Sequence, residues 1–161
     1  MSETTVTEAL ADHFRRTWGM VRQAVQNFPE EGWRTSQEPR MLPARIGYHI
    51  LVSAERYTWP WPADQFTSER RRFGLNWEAA QPYELPDTEA MLGHLDTMEA
   101  ETLEWLRTEG DAELLASPPT FPWTGNCALG QALYLLRHLQ HHLAELNVEL
   151  RRRGLPAAEW K

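Results

Sequence analysis

Three of the six histidines of the chain fall within five residues near its C-terminal end, at His138, His141 and His142. The segment around them has no helix breaker from Ala128 to Arg153, and its leucines recur at helical spacing, which predicts an α-helix. Residues four apart lie one turn above another, so His138 and His142 project from one face and could bind one metal ion together. His141 lies about 100° from His142 around the helix and is predicted to be solvated.

The histidine pair also has a simpler interpretation. His138 and His142 border the apolar stripe of their helix, where a histidine often makes only an ordinary hydrogen bond, and a pair at this spacing arises easily by chance. The residues alone therefore leave a metal site and a core-edge pair as alternatives. A two-histidine clamp also needs at least a third ligand, and His49 has a comparable position at the edge of the apolar stripe of an earlier helix.

Two other histidines have weaker claims to a role. His13 lies at the margin of the apolar stripe of the first helix, where a surface or interhelical hydrogen bond is favoured over a metal contact. His94 stands alone among acidic neighbours, so we expect it to be exposed and assign it no role.

The apolar periodicity and the breakers predict four long helices around one core, an all-α four-helix bundle. The first predicted helix starts near Thr5, at the apparent capping box Thr5-Val6-Thr7-Glu8, and ends at Pro29. The second runs from about Leu42 to Tyr57, the third from about Asp87 to Gly110, and the fourth from Ala128 to Gly154. Residues 58–86 form a connection too long for a tight hairpin. It can cross the height of the bundle, so that the third helix starts in the same direction as the second.

Aromatic side chains collect in this connection and in a second predicted loop, residues 111–127. Trp59, Trp61, Phe121 and Trp123 could wall a pocket or could plug the ends of the bundle. The plug is favoured, because bulky aromatic residues commonly cover the ends of small bundles.

Composition limits the class of protein. A length of 161 residues is typical of a single domain, 1–161, large enough to bury its own core. No apolar run approaches the length that crosses a bilayer, and the N-terminus lacks the apolar core of a signal peptide. The single cysteine, Cys127, excludes an intrachain disulfide and indicates a reducing cytosol, so we expect a cytoplasmic protein without a membrane partner. The net charge of −7 argues against nucleic-acid binding.

The chain resembles the DinB family of four-helix-bundle metalloproteins (DinB/YfiT-like), which includes the bacillithiol and mycothiol S-transferase-like enzymes. The resemblance spans nearly the whole chain. It rests on His49 in the second helix, on the long crossover, and on the fourth-helix pattern His-x-x-His-His-x-(Gly/Ala)-(Gln/Glu), met by residues 138–145. The family usually has Gly-Gln where this chain has Ala144-Glu145, so Glu145 adds a negative charge beside the site.

The resemblance implies a divalent metal held by His49, His138 and His142, and a homodimer. Imidazole suits Zn²⁺, Ni²⁺ and Fe²⁺ alike, and zinc is favoured because three protein ligands leave the open position typical of catalytic zinc. Such an ion would activate a low-molecular-weight thiol for transfer or a water for hydrolysis of a small-molecule substrate. Glu145 is a weak candidate for a catalytic group and more readily a carboxylate that orients a ligand. The alternative is a non-catalytic, stress-related bundle whose metal is structural or vestigial.

Overall fold

The computed structural model describes residues 5–59, 62–66 and 72–161. Over these residues the chain is all-helical and contains no strand. Its α-helices are α1 (Val6–Asn27), α2 (Glu30–Trp33), α3 (Pro43–Tyr57), α4 (Thr88–Ala116) and α5 (Ala128–Arg152). The four long helices pack around one apolar core, and the prediction of an all-α bundle is confirmed.

The start of α1 has the predicted capping box. The Thr5 hydroxyl accepts a hydrogen bond from the Glu8 backbone N–H at 3.1 Å, and the Glu8 carboxylate accepts one from the Thr5 N–H at 2.9 Å. The Asp111 carboxylate accepts two further bonds, from the backbone N–H groups of Val6 and Thr7 at 3.0 and 2.8 Å. The first N–H groups of a helix have no partner within it, and Asp111 supplies one. Its carboxylate thereby joins the beginning of α1 to the far end of α4.

The contacts between α3 and α4 give their relative direction. Gly47, early in α3, packs near Met91, early in α4, while Glu55, late in α3, bonds His94, further along α4. The two helices therefore run in the same direction, as the long connection predicts. The contact of Gln131 at the start of α5 with the end of α3 shows that α5 runs against α3.

The third long helix does not stop where the sequence predicts. Gly110 has a φ of +69° and kinks α4, as expected for a glycine in the left-handed region. Helical structure nevertheless resumes and continues to Ala116. The prediction of a loop over the whole of residues 111–127 is therefore wrong for its first part, because Asp111 to Ala116 pack as an additional helical segment with Leu114 buried.

A fully buried tryptophan joins the short α2 to the bundle. Trp33 is 0% exposed, its indole N–H donates to the Pro86 carbonyl at 2.9 Å, and its ring lies directly over Gly47. A Cβ atom at Gly47 would come within 2.7 Å of that ring, so the glycine permits the close approach. This packing holds the first half of α3 in place, and His49 lies there, two residues after Gly47.

Candidate metal centre

The structure brings His49, His138 and His142 together from two helices. One ring nitrogen from each lies within 4.8 Å of the corresponding atoms of the other two. The Nε2 atoms of His49 and His138 are 3.1 Å apart. The antiparallel packing of α3 against α5 thus places the lone histidine of α3 opposite the i, i+4 pair of α5.

This spacing fits a divalent ion. Two imidazole nitrogens, each about 2.0–2.1 Å from one zinc ion at a tetrahedral angle, are about 3.3–3.4 Å from each other. The observed 3.1 Å between the Nε2 atoms of His49 and His138 differs by only a few tenths of an ångström. Small side-chain rotations would therefore suffice for both rings to bind one ion.

The environment of His138 favours the neutral ring that a metal requires. Burial, together with the charge repulsion of the neighbouring His142 and His141, lowers the pKa of the His138 imidazole to about 4. The Ser53 hydroxyl, one turn after His49 on α3, lies 2.9 Å from the His138 Nε2. A metal ligand must be deprotonated to bind, and at neutral pH His138 already meets that condition.

A carboxylate orients His142. The Nδ1 atom of His142 lies 2.6 Å from Glu145 Oε2, at the spacing of a charge-assisted hydrogen bond. That bond occupies Nδ1 and leaves Nε2 for the cluster, as in the carboxylate–histidine–metal arrangements of many metalloproteins. His141 is 68% exposed and its Nε2 lies 3.8 Å from the same carboxylate, which confirms the prediction that His141 is solvated.

Three aromatic rings lie near the histidines. The ring of His49 lies 4.0 Å from that of Trp77, measured between centroids, and the ring of His138 stacks on Tyr134 at 6.2 Å. The ring centroids of Tyr57 and His138 are 6.3 Å apart. The Tyr57 hydroxyl accepts a hydrogen bond from the Trp123 indole N–H, and burial raises the pKa of Tyr57.

The four aromatic residues singled out in the loops do not share one role. Phe121 is fully buried against Tyr57 and serves as a plug, whereas Trp123 is 55% exposed. Trp59 lines a cavity to which none of His49, His138 and His142 contributes. Trp61 lies outside the described residues.

The expectation that His94 is exposed is wrong. Its side chain is 1% exposed, and its Nε2 lies 2.6 Å from the Glu55 carboxylate, between α4 and α3. The acidic neighbours of His94 in sequence misled the prediction, because its actual partner is supplied by another helix. His13 is exposed, beside a shallow pocket formed with Arg16 and Trp160, and does not approach the metal centre.

A cavity of about 970 Å³ is lined mainly by residues of α3 and α4 and of the segments that follow them. Glu55, His94, Trp59 and Trp105 contribute to its wall, and none of the three clustered histidines does. The chemistry of the donor atoms, and not the size of a cavity, therefore identifies the candidate centre.

Sequence reasoning gave too little weight to two groups near the centre, Ser53 and Trp77. Ser53 could have been found from its position four residues after His49, which places both on one face of α3. Trp77 lies 28 residues beyond His49 in the connection, and no periodic signal could have linked the two.

The family comparison agrees with the fold and includes all three histidines. A model of the DinB superfamily matches residues 13–146, from within α1 to within α5. None of the curated proteins compared with the chain matches it. Among the described residues, every helix is too short or too polar to cross a membrane.

Proposed function

The chain belongs to the DinB superfamily, and on that premise we propose that it is a divalent-metal-dependent enzyme. His49, His138 and His142 would hold the ion, with zinc favoured and nickel and iron as the other candidates. The observation that carries the proposal is the convergence of one nitrogen from each ring within 4.8 Å.

Three protein ligands leave one coordination position open, where a bound divalent ion lowers the pKa of a water or a thiol and supplies a nucleophile at neutral pH. The proposed reaction is therefore transfer of a low-molecular-weight thiol to an electrophilic small molecule, or hydrolysis.

The surrounding residues support such chemistry by orienting the ligands. Glu145 holds His142 through its Nδ1 atom, which leaves Nε2 as the nitrogen that would bind the ion. Ser53 lies within hydrogen-bond distance of His138 Nε2, next to the position that an ion would occupy. Glu145 acts on the reaction through His142, as a positioning residue.

Metal analysis of the purified protein tests the proposal. We expect about one equivalent of divalent metal in the wild type and loss of most of it in His138→Ala and His142→Ala. His141→Ala is the matched control, since His141 lies on the same helix turn but is exposed. Retention of metal in both ligand variants, or its absence from the wild type after reconstitution with Zn²⁺, contradicts the proposal.

A non-catalytic bundle with a structural or vestigial metal is the alternative, and chelation distinguishes the two. A structural ion contributes several kcal/mol to folding, so its removal should lower the melting temperature strongly. A catalytic ion should leave the apolar core largely intact, because that core extends along all four long helices and well beyond the histidines.

The remaining expectations stay predictions. They comprise a small-molecule substrate, a homodimer, a cytoplasmic location, and no nucleic-acid or membrane partner. The net charge of −7 supports the expectation about nucleic acid, and a binding assay with duplex DNA at low salt would test it.

A further inference from the structure

Trp77 packs directly on the ring of His49. The ring centroids are 4.0 Å apart and the planes are tilted by 38°. On the centre side, the rings of His142 and His138 contact the same imidazole edge-on, at 4.5 and 5.0 Å. His49 is therefore held between an indole and the two other histidines, although Trp77 belongs to the connection that follows α3.

The turn that carries Trp77 is capped at both ends by side chains. Asn76 precedes it, and its side-chain oxygen accepts hydrogen bonds from the N–H groups of Glu78 and Ala79 at 2.9 and 3.3 Å. The backbone N–H of Ala80 bonds the Asn76 carbonyl at 2.9 Å, closing one helical turn. An isolated turn is unstable in water, so this one requires support from the rest of the protein.

Arg45 provides that support from α3. Its guanidinium donates to the carbonyl oxygens of Trp77, Glu78 and Ala80 at 2.5, 2.8 and 2.9 Å. These are the carbonyls at the end of the turn, which have no partner within it. Arg45 lies one helical turn before His49, so the same face of α3 carries the metal-ligand candidate and the side chain that fixes its cover. Tyr48 adds a further tie, bonding Leu75 through its hydroxyl.

We propose that Trp77, held by Arg45, is a positioning residue of the metal centre, which keeps the His49 ring in its metal-binding orientation and covers it. This inference rests on the metal-binding function proposed above. Coordination withdraws electron density from an imidazole ring, and an indole face attracts electron-poor and cationic groups. The contact should therefore be stronger with metal bound than without, and Trp77 should favour the bound state.

Cobalt(II) titration of the full chain tests this proposal without relying on catalytic activity. The titration gives the affinity of the protein for Co²⁺, and the visible absorption of the bound ion reports its coordination geometry. We expect Trp77→Ala to weaken Co²⁺ binding about tenfold, as removal of supporting groups around metal ligands typically does, and to accelerate release to a chelator. Trp77→Phe, which keeps an aromatic face, should recover most of the affinity. Arg45→Gln should reproduce the Trp77→Ala effect in weaker form.

Two matched controls separate positioning from general loss of stability. Trp105→Ala removes a partly buried tryptophan beside the other cavity. Arg22→Gln removes an arginine that joins α1 to α4 through Asp96 and Glu99. Both controls should keep wild-type affinity and spectrum.

The outcomes distinguish this proposal from the proposed function. If the wild type binds Co²⁺ while Trp77→Ala binds it equally well with the same spectrum, the role of Trp77 is overturned and the metal site stands. An equal loss in Trp77→Ala and Trp105→Ala also overturns it, since the effect would then be one of stability. If the wild type binds no divalent ion, both proposals fail.

Discussion

The charge of Glu145 should set the affinity of the proposed metal centre, and Glu145→Gln isolates that charge. In the native protein, the Nδ1 atom of His142 lies 2.6 Å from the Glu145 carboxylate. The substitution keeps a side-chain oxygen that can accept the same hydrogen bond, but it removes the negative charge. Charge-assisted hydrogen bonds are about twice as strong as neutral ones, so the variant loses roughly half of the interaction that orients His142 and enriches its electron density.

Removal of such a supporting partner typically weakens metal binding by about 10- to 100-fold. The Glu145 side chain is 36% exposed, so water can replace part of the lost bond. We therefore place Glu145→Gln at the lower end, about tenfold, which corresponds to about 1.4 kcal/mol. Glu145→Ala, which removes the acceptor as well, should weaken binding a few times further.

Competition with a chelator of known affinity for Zn²⁺ measures both variants against the wild type. Glu104→Gln is the matched control, because it makes the same change of charge at an exposed site on α4. Equal or tighter binding by Glu145→Gln would refute the reasoning, and so would an equal effect of Glu104→Gln, which would indicate a general effect of net charge.

Three further predictions concern the supports of the fold. His94→Ala should lower the free energy of unfolding by about 3 kcal/mol, measured in urea, because it removes a fully buried ring and leaves the largely buried Glu55 carboxylate with only the weaker hydrogen bond from the Arg72 N–H; a change below about 1 kcal/mol would contradict this. Gly47→Ala should destabilise the protein by roughly 1 kcal/mol in the same assay, because the clash with Trp33, whose ring is fixed by burial, exceeds the gain in helix propensity. Hydrogen bonds from the Thr7 hydroxyl and from the first N–H groups of α1 lower the pKa of Asp111 below 3.8; its carboxylate therefore contributes stability above about pH 4 that is lost as the pH falls through the folded-state pKa. Melting temperatures measured against pH should accordingly fall less steeply in acid for Asp111→Asn than for the wild type.

Helical positions and their caps were predictable from sequence because they depend on neighbours within a few residues. The capping box at Thr5 and Glu8, the breaks after Tyr57 and before Asp87, and the shared face of His138 and His142 all follow from local spacing. The four-helix architecture follows in turn, since each apolar stripe needs a partner to cover it.

The family pattern supplied what spacing could not, the pairing of His49 with the two histidines of α5. Nothing in the periodicity of α3 distinguishes His49 from a histidine that only borders a core. Its role as a candidate ligand becomes visible when α3 packs antiparallel to α5 and the Nε2 atoms of His49 and His138 come within 3.1 Å.

The partners of single side chains were decided by tertiary packing. His94 looked exposed because its neighbours in sequence are acidic, yet it is buried against Glu55 of another helix. Asp111 looked like a loop residue, yet it caps the start of α1. Sequence alone determined the four long helices, except for the end of α4, and the helix faces on which His49, His138 and His142 lie, because those depend on a repeat of 3.6 residues. Only the tertiary structure decided that Trp77 lies against His49 and that Arg45 holds it there. Those contacts join residues far apart in the chain, and they depend on the path of the connection as well as on the packing of the helices.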